Sequence, residues 1–418
     1  LLLSIFGILH MTEQTRPIEV RALTSTQEKR QAFAQFRQAM LGIADIGHAD
    51  AKAETEYLES GSPLGGFIDG ELQGVVNGYE GSVALPGGNY VSHLAVTHVG
   101  VAPTQIRNGI ARALLSEQLR RAHAQGYVVA GLRASDARIY GRYGYGIASW
   151  SVRQEVDLSN GGRPKLERHS DLRIVDAVES FDLFQRIAKA IPTPRAATLS
   201  RWNAWWRIQE LRTRKASAPH HAAVVGSEGA ERGYIRFHIQ SSDNWFTSTQ
   251  RTAIVDDLVA HDDGAWRALI GHLFSQDILH KVILPSRPVD DPLPLFVENL
   301  RAVQTSELRD ESWIRPLDLH KFLNARSYNA AQDVVLRIED QLISENNGVW
   351  TINGEGVRQN GENPSITLGV DAVSELVFGA NSALSLAATG RITGAQRAIE
   401  ALDRAVATHL KPHAGISF

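Results

Sequence analysis

Residues 96–124 carry the local pattern that most narrows the folds open to this chain. A β-type stretch (Val96, Val99, Val101) stops at Pro103, a turn containing Gly109 follows, and residues 110–124 place apolar side chains at helical spacing, among them Ala111, Leu114, Leu115 and Leu119. A strand, a glycine turn and a helix in that order expose the first helical turn, whose backbone N–H groups have no internal partner and carry partial positive charge. Such a turn can hold a pyrophosphate: Gly109 lets the ligand approach the backbone, and Arg107 and Arg112 add charge. An ordinary amphipathic helix can begin the same way, so the turn gains meaning only from its sequel.

The sequel is a second β-type run at residues 128–132, and then ASDARIYGRYGYG at 134–146. Residues 93–146 resemble motifs A and B of the GNAT acetyltransferases, and in detail the Eis (enhanced intracellular survival) branch of that superfamily. The resemblance rests on a V-x-V-A-P strand end, the glycine turn, and an A-S-x-x-x-I-Y-G-R-[FY]-G-Y-G segment, of which the last is the specific one. It implies acetyl-CoA as co-substrate and no metal. Val99, Gly100 and Val101 would pair with the pantetheine arm, and Arg107, Asn108, Gly109, Ile110, Ala111 and Arg112 would cradle the pyrophosphate. Ser135 and Asp136 would line the far side of the cofactor, and Tyr140 would be the general acid, with Tyr143 and Tyr145 structural. Ile106 stands where the family has Arg or Gln.

Length and composition set the frame around this segment. A chain of 418 residues is too long for one ordinary core and implies about two to four domains. With 43% hydrophobic and 21% charged residues a sizeable core is possible. A net charge of −3 with no basic stripe argues against nucleic acid as partner. The absence of cysteine excludes disulfides, thiolate zinc sites and a cysteine nucleophile. His220-His221, Asp262-Asp263, His272 and His280 show no metal-ligand spacing, so they read as surface or core residues. The apolar opening LLLSIFGIL lacks a basic n-region and is too short to span a bilayer. Residues 1–10 therefore read as an upstream extension, with Met11 the natural start. With no membrane-spanning stretch, the location expected is cytoplasmic, with secretion left open.

The fold class expected is α/β (α+β): tandem GNAT-type domains followed by a sterol-carrier-like α/β domain. The first domain, 11–160, begins with a strand at 18–23 and a helix at 26–43 with Phe33, Phe36 and Met40 on one face. By the resemblance, that helix and the polar loop 45–54 would wall the amine pocket; read alone, they are core and loop. Strands at 66–68 and 72–79 form a hairpin through Asp69-Gly70, and further strands run over 81–85 and 90–101. Asn160-Gly161-Gly162 and Pro164 mark the border.

The second domain, 161–304, repeats the order with strands at 172–176, 222–225, 233–238, 251–258 and 281–284 and helices at 181–191 and 265–277. It lacks the arginine-bearing turn and a Ser-x-x-x-x-Tyr counterpart, and so reads as a degenerate GNAT-like unit. Trp202, Trp205 and Trp206, at helical spacing, read as core or subunit contact. Residues 285–294 are a proline-rich connection. The third domain, 305–418, includes WIRPLDLHKFL at 313–323, which resembles the opening of the third Eis domain. Strands at 333–338, 348–352 and 365–369 and helices at 370–378 and 394–410 follow. By the resemblance the chain is a homo-oligomer, a hexamer.

The chain ends HAGISF. In the Eis family a C-terminal carboxylate on phenylalanine enters the first domain and acts as general base, and Phe418 matches that pattern; the bland alternative is a hydrophobic plug. A free amine with a pKa of about 10.4 needs a base at neutral pH, and the departing thiolate needs an acid. The function expected is therefore direct acetyl transfer from acetyl-CoA to primary amines: aminoglycosides, lysine side chains or polyamines. Glu54, Glu56 and Glu59 read as a solvated helix face that could also attract a polyamine. The alternatives are a narrow-substrate small-metabolite GNAT, and a non-catalytic protein that senses acetyl-CoA or binds lipid.

Overall fold

Ser25 starts the first helix with a reciprocal cap, its hydroxyl accepting from the Glu28 N–H while the Glu28 carboxylate accepts from the Ser25 N–H. Local signals of this kind set most elements of the computed structural model, which describes residues 16–41, 51–164, 171–192, 194–240 and 250–416, without the side chains of 51–53. The opening residues 1–10, most of the polar loop 45–54, and Phe418 lie outside the described residues.

The first unit runs β1 (Glu19–Ala22), α1 (Thr26–Met40), α2 (Ala51–Glu59), β2 (Leu64–Ile68), β3 (Glu71–Ala84), β4 (Tyr90–Val101), α3 (Ile110–Ala124), β5 (Val129–Leu132), α4 (Ala137–Tyr140) and β6 (Gly146–Asp157). The second has β7 (Leu172–Val175), α5 (Phe181–Lys189), α6 (Asn203–Lys215), β8 (His220–Val225), β9 (Gly233–Ile239), β10 (Thr252–Ala260), α7 (Asp263–Phe274), β11 (Lys281–Pro288), α8 (Leu293–Phe296) and β12 (Val303–Pro316). The third has α9 (Leu319–Asn324), β13 (Val334–Glu339), β14 (Gly348–Asn353), β15 (Gly356–Arg358), β16 (Ile366–Gly369), α10 (Val370–Phe378), α11 (Ala383–Ala388), β17 (Ile392–Gly394) and α12 (Gln396–Val406).

Two expected boundaries change for a visible reason. The strands expected at 72–79 and 81–85 are one strand, β3, because β4 pairs along it through Gly81↔His93 to Ala84↔Tyr90. The connection expected at 285–294 is strand as far as Pro288; Pro285, which has no N–H to give, falls in the irregularity between Leu284 and Arg287.

The first two units share one twelve-stranded sheet, ordered β1-β2-β3-β4-β5-β12-β6-β11-β10-β9-β8-β7. They exchange their last strands. β6 leaves the first unit to pair with β11, and β12 returns from the second to lie between β5 and β6. Residues 305–316, given to the third domain by the sequence reading, thus lie within the large sheet. The third unit carries its own five-stranded sheet, β15-β14-β13-β16-β17.

That third unit docks on the glycine-rich segment that leads into and opens β6. A Cβ on Gly146 would overlap the backbone carbonyl of Asp371 in α10, and one on Gly144, at φ 82°, would stand 2.7 Å from Val370 and 2.8 Å from the Arg315 guanidinium. Arg315 of β12 pairs with Asp340 of the third unit, its Nη2 donating to both carboxylate oxygens at 2.6 and 2.7 Å, with both side chains buried. Among the described residues, no helix is long and apolar enough to cross a membrane.

Candidate active site

β4 and β5 run parallel only from His93↔Val129 to Ala95↔Gly131 and then part. Beyond that point β4 continues to Val101 against β3 alone, which leaves a cleft open along its other edge. Within this stretch β4 carries an extra residue: Thr97 pairs with Asn77 and Gly100 with Val75, three steps against two. His98, inside the bulge, has a φ of 52°. A bulge bends the strand and re-aims its side chains. Gly100 is needed for packing, since its Cβ would stand 3.1 Å from the Phe36 Cα in α1.

After Pro103 the loop turns through Arg107 (φ 69°) and Gly109 (φ 84°), and α3 starts with no side-chain cap. Asn108 braces the loop, its Nδ2 donating to Gln105 Oε1 at 2.8 Å. Arg107 and Arg112 are exposed, and neither has an ion-pair partner among the described residues. Ile110 is buried against Gly66 and Gly74, so it can offer a ligand only its backbone, while Ala111 is half-buried. An uncapped fifteen-residue helix, two uncompensated guanidiniums and an open strand edge fit a coenzyme A thioester.

Tyr140, at the end of α4, is buried and reaches the mouth of this cleft. Burial raises its pKa, partly offset by a hydrogen bond with Ser135, so the phenol keeps its proton at neutral pH. Tyr145 is fully buried and Tyr143 packs in the same core. Asp136 is occupied within its own turn. It caps α4 through the Arg138 N–H at 2.9 Å and pairs with the Arg138 guanidinium at 2.7 Å, which pulls its pKa down to about 2. It does not line the cavity described next.

Between α1, α2, α6 and the bulged strand lies a cavity of about 600 Å³ that reaches Thr97, Val99, Ser135 and Tyr140. Phe33, Phe36, Tyr57, Tyr79, Trp202 and Trp205 give it an aromatic wall. The tryptophans therefore divide. Trp202 stacks on Tyr79 at 6.1 Å and Trp205 faces the cavity, while Trp206 meets Phe181 in the core. The described lining includes three cationic side chains, Arg133, Arg212 and Lys215, and no carboxylate. Glu59 is instead paired with Lys29 at 2.7 Å, and Glu56 lies 3.7 Å from Arg207.

Sequence reasoning missed His98. Its Nε2 lies 2.9 Å from the Tyr57 hydroxyl, and its ring packs 4.6 Å from Phe36. Burial pushes its pKa down to about 3 and that of Tyr57 up to about 12, so both are neutral in the folded protein. The only signal was a histidine amid valines in a β run, from which no bulge can be read.

The chain's last described residues run beside the segment that leads into α6. His413 N–H donates to Ala196 O at 2.9 Å, and Leu199 N–H donates to Ala414 O at 3.0 Å, so the tail runs alongside 196–199 in the same direction. Ile416 is buried, and Trp202 lies three residues past Leu199.

Comparison with known proteins agrees with this geometry. Two family models described as acetyltransferase (GNAT) domains match residues 19–148 and 197–316, and a sterol carrier protein domain matches 319–415. The chain is similar to the crystal structure of Eis1 from Mycobacterium abscessus, with 35% identity, a TM-score of 0.88, and coverage of 96% of this chain and 100% of that one. It is 28% identical over 359 residues to the N-acetyltransferase Eis of Mycobacterium bovis, covering 80% of this chain and 83% of that protein. It also matches an uncharacterized N-acetyltransferase of Streptomyces avermitilis at 29% identity, covering 83% and 87%.

Proposed function

Since the chain belongs to the Eis family of GNAT N-acetyltransferases, we propose that it transfers an acetyl group to a single primary amine carried on a largely apolar or aromatic body. The observation that carries this reading is the cavity itself, which joins the open edge of β4 and Tyr140 to an aromatic chamber with three described cations and no described carboxylate. Among the described lining a polycation would meet the Arg133 and Arg212 guanidiniums, whereas a singly charged amine would meet ring faces.

In this reading residues 11–160 are the catalytic unit, 161–316 the degenerate one, since β12 stays in the large sheet, and the rest of the proposed third unit, 317–418, the sterol-carrier-like one. Acetyl-CoA supplies the acetyl group as a thioester. Arg107, Arg112 and the backbone of residues 108–111 hold its pyrophosphate, Val99–Val101 align the arm, and the Val99 N–H donates to the carbonyl oxygen as charge develops on it. The acceptor nitrogen gives up a proton and bonds to the acetyl carbon. Tyr140 gives its proton to the departing sulfur. The Phe418 carboxylate takes the amine proton; the hydrogen bonding of residues 413–414 beside residues 196–199, the segment that leads into Trp202, supports that role. With a reference pKa of about 3.5 it is a weak base in water, so burial must raise its basicity or a water must relay the proton. A hexamer, expected from the resemblance, is checked by sedimentation.

The test is thiol release from acetyl-CoA with a panel of amines, run on a chain ending at Phe418 and on one extended by two residues. Faster turnover of aromatic monoamines than of polycations, lost on extension, is the expected result. Faster turnover of polycations would overturn the acceptor class, and equal turnover by both chains would remove the carboxylate base.

A further inference from the structure

The second unit repeats the parting of parallel strands, and its bulge carries a different chemistry. β10 pairs with β11 from Thr252↔Lys281 to Ile254↔Ile283, and directly afterwards β10 holds an extra residue against β9, where Val255 faces Phe237 and Asp257 faces Arg236. The extra residue is Asp256. On the two neighbouring strands, His220 of β8 and His238 of β9 stand opposite one another in register. The bulge turns the Asp256 carboxylate onto both imidazoles: His238 Nδ1 lies 2.7 Å from Oδ1, and His220 Nε2 lies 3.6 Å from Oδ2.

We propose that His220, His238 and Asp256 form a binding site for one borderline divalent metal ion of the zinc class, separate from the acetyl-transfer cavity. Ligand atoms about 2.0–2.2 Å from a tetrahedral ion lie roughly 3.3–3.6 Å from one another, and the potential ligand atoms of these three residues all fall within 4.8 Å of each other. The tautomer of His220 is already set. Its Nδ1 faces the Ala218 carbonyl at 3.1 Å, so that nitrogen carries the proton and Nε2 presents a lone pair toward the carboxylate. His238 Nδ1 would exchange its proton for the metal, so binding releases a proton.

The three side chains are 12%, 25% and 23% exposed, which leaves an entry path and room for water at the remaining positions. Two imidazoles and one carboxylate select zinc, nickel or cobalt over magnesium or calcium. The nearby cation, Arg236, is held against the helices instead: its guanidinium lies 4.4 Å from the centre of the Phe181 ring and donates to Thr213 Oγ1 at 2.6 Å. The sequence carries no metal motif because the three ligands come from three strands, and because Asp256 reaches them only through the bulge.

The measurement is equilibrium dialysis of the untagged full chain, stripped with chelator, against Zn²⁺ and Co²⁺, with metal counted per chain and Co²⁺ followed by its visible absorption. One equivalent should bind, and Asp256→Asn and His238→Ala should each weaken it at least about tenfold. His272→Ala, a change in α7, should leave binding unchanged. Circular dichroism confirms folding of each variant, and His220→Ala replaces any that fails. No bound equivalent, or the same equivalent in the folded double variant His238→Ala/Asp256→Asn, overturns the site.

Discussion

The Glu311 carboxylate accepts a hydrogen bond from the Ala414 N–H at 2.8 Å, which ties the chain's last segment to the strand that the second unit inserts into the first. Glu311 is almost fully buried and also accepts from Ser149 and Ser286, each at 2.9 Å, with His413 Nε2 3.2 Å away. A buried carboxylate with this many donors is a fixed anchor, because leaving those groups unpaired is costly.

Removing that anchor should release the tail without touching the coenzyme site. Glu311→Ala is expected to lower kcat by about 10²-fold, the scale of a small misplacement of a reacting group, and to leave the KM for acetyl-CoA nearly unchanged. Steady-state thiol release checks it, and an unaltered kcat would detach the tail from catalysis.

Tyr140→Phe keeps the ring and removes the proton. A lost general acid typically costs 10²–10⁴-fold, so kcat should fall by roughly that range while acetyl-CoA still binds. Calorimetric titration with coenzyme A, run beside the kinetics, distinguishes this from a damaged site.

The third unit's docking can be tested at one atom. Gly146→Ala places a methyl group on the Asp371 carbonyl, a backbone atom that cannot swing away. Overpacking of this kind costs about 1–3 kcal/mol or more, so the urea midpoint should drop. Gly141→Ala, where a Cβ meets nothing within 4 Å, is the control and should leave the midpoint where it was.

Stability should depend on pH through buried histidines, of which His93 and His98 are shifted most. Burial pushes His93 and His98 down to about 3, whereas in the unfolded chain each titrates near pH 6.5. Above that value both states are neutral and this stability is fully present. As pH falls below it, the unfolded chain takes up protons that the folded chain refuses, and stability declines by about 1.4 kcal/mol per pH unit for each imidazole until the folded pKa is reached. Urea midpoints between pH 7.5 and 5 should therefore fall, and less steeply in His98→Phe; a flat profile would contradict neutral burial.

How much of the fold and the site is legible in the amino-acid order depends on how far apart the interacting residues lie. The Gly109 turn, the Ser25 cap, the apolar faces of α1 and α3 and the Ala134 to Gly146 segment can be read because helix starts, turns and periodicity are governed by neighbours a few residues away. From those alone come the GNAT order, the coenzyme turn and Tyr140. Trp202 and Trp205 show helical spacing but not what they face, and His98 and Asp256 show nothing, since a bulge exists only relative to its partner strand.

By itself, then, the sequence determined most of the elements and the glycine turn that opens α3, because both are local. Tertiary structure alone decided the exchange of β6 and β12, the docking of α10 onto Gly146, the aromatic and cationic lining described for the cavity beside β4, and the meeting of His220, His238 and Asp256. Each of these depends on which strands pair, and pairing is chosen by burial over the whole sheet and not by any short stretch of chain.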